Sequence, residues 1–220
     1  MKKNYVKTAS VLMLSAVLMM GFSACSKNTA NEPAQNETIH ENDKNQSVEV
    51  PENVQSMFEP ADALLMCMVE GNYSYNPKDP EFFWTAIYDF TGVYGAKHSL
   101  SKVTDTALIM PRQAVQEYAI ALFSDYDDLL ELPDSLSDRI KYDAATDTYS
   151  FGLGDRGASK SEITGFTDNG DGSFTMDVAL TALDENKLIR SGEFTIVPNE
   201  YADSISDPLY NFSISNVNTK

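Results

Sequence analysis

Nucleophilic or metal-binding chemistry has few carriers in this chain of 220 residues: two cysteines and two histidines. Cys67 lies in the apolar stretch Ala63-Leu64-Leu65-Met66-Cys67-Met68-Val69. No His or basic cluster neighbours it in sequence to stabilise a thiolate, so it is expected to be a buried core thiol. His98 falls in the polar, irregular run Lys97 to Thr106. With no second His in the presumed domain and no carboxylate pair at a recognisable spacing, it is expected to be an exposed loop histidine, neither metal ligand nor half of a catalytic dyad. His40 sits in a polar segment and is expected to be solvated.

Two glycine-bearing runs invite a ligand. Asp168-Asn169-Gly170-Asp171-Gly172-Ser173 offers closely spaced oxygens, as a hard cation requires. An EF-hand register starting at Asp168 fails, however: Gly170 replaces an oxygen ligand, Ser173 the obligatory Gly, and Ala179 the bidentate Glu. Asn-Gly and Asp-Gly predict a hairpin turn instead. Gly152-Leu153-Gly154-Asp155-Arg156-Gly157 has the look of a phosphate loop, but no helix N-terminus follows it, and a plain loop is expected. Gly-x-Ser-x-Gly, His-Glu-x-x-His and Cys-x-x-Cys are absent. No catalytic residue, metal ligand or cofactor is therefore named, and abundant acids alone do not assign glycoside hydrolysis.

The elements that would position a site read clearly. Pro60 early and Gly71 after predict a helix over residues 61–70 with Leu64, Leu65, Met68 and Val69 on its buried stripe. Asp79-Pro80-Glu81 starts a second, aromatic helix, with Phe83, Ile87, Phe90 and Tyr94 on one side. Trp84 and Tyr88 lie beside that stripe: they are either a second core face or, with Tyr118, the lining of a ligand-binding pocket. Residues 106–110 read as a short strand, and Pro111 opens a third helix bearing Val115, Tyr118, Ala119 and Leu122. From Arg139 the period changes to two. Strands are expected over 140–143, 148–153, 162–167, 173–181, 188–197 and 210–217, with Phe174, Met176, Val178 and Leu180 on one buried face. The expected fold class is α+β: about three N-terminal helices packed on a C-terminal antiparallel β-meander sheet.

Location is written at the start of the chain. Lys2, Lys3 and Lys7 precede the apolar run Val11 to Met20, and Gly21-Phe22-Ser23-Ala24-Cys25 closes it. That is the pattern of an export signal, and the run is shorter than the ~20 residues a bilayer-spanning helix needs. Ser23-Ala24-Cys25 resembles the lipobox of bacterial lipoproteins, with Phe22 where the pattern prefers Leu. The resemblance implies that Cys25 is diacylated and heads the mature protein. Residues 26–53 are polar, lack aromatics and read as a tether, so the expected organisation is 1–24 signal peptide, 25–53 lipidated cysteine and tether, 54–220 a single α+β domain.

The signal takes three of the 16 basic residues and none of the 33 acids, leaving 13 against 33 and a formal charge of −20. Such a surface repels phosphate backbones and anionic headgroups, which argues against nucleic acid as a partner and leaves the lipid to hold the membrane. Helices followed by an antiparallel meander also resemble the nuclear-transport-factor-like, or cystatin-like, cone fold, with no family motif to carry onto named positions. The expectation is a lipid-anchored extracytoplasmic module that binds a small molecule or a protein. The alternative is a small cone-fold hydrolase or isomerase using an acidic residue.

Overall fold

The computed structural model describes residues 48–202 and 208–220. The signal segment, Cys25, His40 and the tether up to residue 47 lie outside the described residues. Among the described residues four α-helices come first: α1 (Glu52–Gln55), α2 (Phe58–Glu70), α3 (Pro80–Tyr94) and, after two strands, α4 (Arg112–Leu122). Eight strands complete the fold: β1 (Lys102–Val103), β2 (Ala107–Pro111), β3 (Ile140–Asp143), β4 (Thr148–Gly152), β5 (Ser159–Asp168), β6 (Phe174–Ala182), β7 (Leu188–Pro198) and β8 (Phe212–Thr219). The α+β class and its order, helices before most strands, follow the sequence pattern. Val54 in α1 is fully buried and Val50 packs on the core.

The expected single meander divides in two. Strands β5-β6-β7-β8 form one antiparallel meander, while β3 and β4 join β1 and β2 in a second sheet of order β1-β2-β4-β3. Partition follows from β2, an apolar strand whose Leu108 and Met110 pair with Phe151 and Tyr149 of β4. The helices lie between the sheets: α2 against β6 and β7, α4 against β8 on one side and β2 and β4 on the other, and α3 against α2, α4 and β4. Met176, Val178 and Leu180 face this core, as their alternation predicts. The β5–β6 turn at Asp168–Ser173 is a hairpin. Asp168 Oδ1 accepts from the Gly170 N–H at 2.8 Å and Asp171 Oδ1 from the Ser173 N–H at 3.0 Å, with Gly170 and Gly172 at φ +79° and +89°.

Helix α2 is the centre of the molecule. Every residue from Pro60 to Met68 is buried, because α3 covers one side and β6 and β7 the other. A helix enclosed in this way is apolar all round, and Pro60 to Val69 is apolar apart from Asp62. Asp62 has no exposure at all. Its charge is met by Arg156 from the β4–β5 connection in a two-pronged pair, Nη1 to Oδ2 and Nη2 to Oδ1, the latter at 2.6 Å. Tyr94 Oη of α3 donates to Oδ2 at 2.7 Å, and Arg156 Nη2 also donates to Ser161 Oγ of β5 at 3.0 Å. The Asp62 carboxylate in turn holds the Arg156 guanidinium more firmly protonated than usual.

Removing one partner of a buried ion pair strands the other charge, at a cost of about 3–5 kcal/mol. Arg156→Ala is expected to lower the urea-unfolding free energy by that order. Asp62→Asn combined with Arg156→Met removes both charges, leaves Tyr94 an acceptor, and should regain most of the loss. Equal losses in the single and double variants would contradict this account of α2.

Candidate functional site

Helix α3 starts as its sequence directs: Asp79 Oδ1 accepts from the Phe82 N–H at 3.0 Å, and Pro80 occupies the first turn. Its apolar residues cover an arc of about 200°, from Phe82 through Phe90 to Trp84, at 100° per residue. What remains is a polar stripe at four-residue spacing, Glu81, Thr85 and Asp89. Facing it are the C-terminal end of α2 (Glu70, Gly71), Tyr73, and the segment before β3 that contributes Ser135, Leu136 and Arg139. Together these enclose a cleft of about 400 Å³.

Two oxygens in this wall are spent on nothing. Thr85 Oγ1 and Asp89 Oδ2 are buried and have no hydrogen-bond partner among the described residues. Thr85 is 9% exposed. A helical threonine ordinarily donates to the carbonyl one turn back, as Thr91 Oγ1 on this helix does to Ile87 O at 2.8 Å. Thr85 forgoes that bond. A buried polar group without a partner costs ~1–3 kcal/mol, a cost that folding alone gives no reason to bear. The rest of the rim is ordinary: Ser135 Oγ donates to Glu81 Oε2 at 2.5 Å, and the Arg139 guanidinium sits 5.6 Å above the Tyr88 ring.

Burial pushes the Asp89 carboxyl up from 3.8 to about 7, helped by the negative charge of Glu70. The charge of Arg139 and a hydrogen bond donated by the Cys67 thiol to the Asp89 carboxyl pull the other way. Cys67 itself is fully buried, and burial, followed by the charges of Asp89 and Glu70, pushes its thiol far up. It is a core thiol, as expected, and it lies directly behind the cleft wall.

The three aromatic candidates take different places. Trp84 is fully buried, packs in a tilted arrangement on Tyr149 with ring centroids 5.1 Å apart and donates its indole N–H to Leu130 O at 3.0 Å. Tyr118 is fully buried, meets Phe90 edge-on at 4.8 Å, and its hydroxyl donates to Tyr94 O at 3.0 Å. Tyr88 is half-buried and adjoins the cleft through Arg139. None of the three is brought together with the others around the cleft. The expectation for His98 is overturned: it is buried, Nδ1 accepts from the Leu100 N–H at 3.1 Å, and Nε2 lies 3.4 Å from Glu117 Oε2. The 3₁₀ turn Gly95–Lys97 prolongs α3 and folds the histidine under α4.

Sequence reasoning missed Thr85, Asp89 and Arg139. The available signal was the Glu81-Thr85-Asp89 stripe, an i, i+4, i+8 row of polar residues on an otherwise apolar helix. A larger hollow of about 570 Å³ beside α1 and β5 is lined by Phe58, Glu59 and Ile163 but by no unpartnered buried polar atom. Among the described residues no group of three or more His, Cys, Asp or Glu side chains is placed to hold a metal ion.

A carboxyl that holds its proton more tightly folded than unfolded loses stability as pH rises between the two pKa values. Wild type should therefore lose about 2–4 kcal/mol between pH 4 and pH 7 through Asp89 alone. Asp89→Asn should lack this part of the decline and be the more stable protein at pH 8. Parallel stability curves for the two would show that Asp89 is not strained. Compared with protein-family models, with curated proteins and with solved structures, the chain matches none.

Proposed function

We propose that the chain is a lipid-anchored extracytoplasmic binding module, tethered to the cell membrane through Cys25, whose cleft along α3 takes a small polar ligand. The observation that carries the binding role is the pair of unpartnered oxygens, Thr85 Oγ1 and Asp89 Oδ2, in the wall of a cleft large enough for such a ligand. The anchor rests on the sequence alone, on the apolar run and Ser23-Ala24-Cys25. A tether of ~27 residues would leave the cleft about 30 Å from the lipid, within reach of soluble compounds.

One observation favours a second reading, a small hydrolase or isomerase. A carboxyl with a pKa of about 7 is matched to proton transfer near neutrality. The buried Cys67 thiol offers no nucleophile beside it, so such chemistry would be proton abstraction or donation by Asp89.

A melting-temperature screen of amino acids, polyamines and sugars tests the binding role. A ligand at 100 times its Kd adds about 2.7 kcal/mol, so a true ligand should raise the melting temperature by several degrees. Thr85→Val should abolish the rise. If no compound stabilises wild type in a Thr85-dependent way, the cleft is not a binding site. A hit recovered chemically changed from wild type and intact from Asp89→Asn would favour the enzyme. The anchor is tested separately: labelled fatty acid should enter wild type and not Cys25→Ser.

A further inference from the structure

We propose that the ligand of the α3 cleft is a small primary ammonium compound, bound by Asp89, Thr85 and Glu70. The inference rests on the binding role of this cleft and names the chemical class. Charge comes first. Glu70, Glu81 and Asp89 line the cleft against one guanidinium, Arg139, which is exposed and engaged with the Tyr88 ring. A carboxylate or phosphate ligand would meet net repulsion in such a place, and a cation net attraction.

Hydrogen bonding then selects among cations. The atoms in want of partners are oxygens, Thr85 Oγ1 and Asp89 Oδ2, one helical turn apart on α3. Both can accept. A primary ammonium presents three N–H donors in a compact head, so two can meet these oxygens and the third the Glu70 carboxylate. Glu81 is less available because Ser135 already donates to it. A quaternary ammonium has the charge without the donors, and a neutral polyol has donors without the charge. Thr85 is nine-tenths buried and is not satisfied by its own helix, which distinguishes this place from a solvated cluster of acids.

Binding should also move a proton. Cys67 and Glu70 from α2 and Arg139 from the segment before β3 act on Asp89, and Tyr73 and Glu81 line the same cleft. Asp89 is largely protonated below about pH 7. An arriving ammonium favours the carboxylate, so the proton leaves to solvent as the ion pair forms. Affinity should rise as pH increases from 5 to 8.

Isothermal titration of the full chain with putrescine tests the proposal, with choline and butane-1,4-diol as controls. Putrescine should bind at least tenfold more tightly than either control. At pH 6, titrations in buffers of different ionisation enthalpy should reveal proton release approaching one per site. Asp89→Asn should weaken binding at least tenfold and abolish the release. Should that variant not fold, Thr85→Val and Glu70→Gln, each checked by its melting curve, should each weaken binding several-fold. Putrescine affinity that is unchanged in these variants, or matched by the diol, overturns the ammonium assignment. If neutral sugars bind in a Thr85-dependent way and putrescine does not, the ligand class is wrong and the binding role stands. If nothing binds in that way, both fall.

Discussion

The ion pair between Asp62 and Arg156 fixes the relation between the helices and the β5–β8 sheet. Arg156 lies in the short connection where the chain leaves β4 and starts β5, so it marks the passage from one sheet to the other. Asp62 lies on the helix that both α3 and the β5–β8 sheet cover. The pair with Tyr94 and Ser161 therefore joins α2, α3, the connection and the first residues of β5 at one point. A buried pair adds little net stability over a well-packed apolar equivalent, because desolvation offsets the attraction. Its effect is on placement. Any other landing of the connection on α2 leaves a fully buried carboxylate uncompensated.

With α2 enclosed, α3 has to do two things at once. Its broad apolar arc joins the core through Phe83, stacked at 5.0 Å on Phe123, and through Phe90 and Trp84. The narrow arc left over carries Glu81, Thr85 and Asp89 to the side that faces the cleft. There Ser135, Leu136 and Arg139 line the opposite wall. Besides Thr85 Oγ1 and Asp89 Oδ2, one other buried side-chain atom among the described residues, Tyr126 Oη, lacks a hydrogen-bond partner, outside this cleft, while Thr91 is paired with its own helix, His98 with Leu100 and Glu117, and Tyr118 with Tyr94.

The same burial that leaves these oxygens unmatched also sets their chemistry. Asp89 is pressed toward the neutral acid by the apolar wall behind it and by Glu70 beside it, and a neutral carboxyl can donate as well as accept. Cys67, one layer deeper, is held as an unreactive thiol by that wall and by the charges of Asp89 and Glu70. Stability is given up at the cleft and retained around it, the distribution expected where a protein binds something.

By itself the sequence determined what depends on near neighbours along the chain. Caps and periodicity specify the α3 start at Asp79-Pro80, the α4 start at Pro111, the β5–β6 hairpin at Asn169-Gly170, the buried face of β6 and the core position of Cys67. Tertiary structure decided the rest. Partition of the strands into two sheets depends on β2 pairing with β4 across the whole of α4, which no periodicity encodes. Burial of α2 on every side depends on a sheet more than a hundred residues later, and so does the need for Arg156 to answer Asp62. His98 became a core residue because a 3₁₀ turn carried it under α4. The cleft was the least legible feature. Thr85 and Asp89 are ordinary polar residues on a helix until Glu70, Ser135 and Arg139, from separate parts of the chain, close around them, because being buried without a partner is a property of the neighbours and not of the residue.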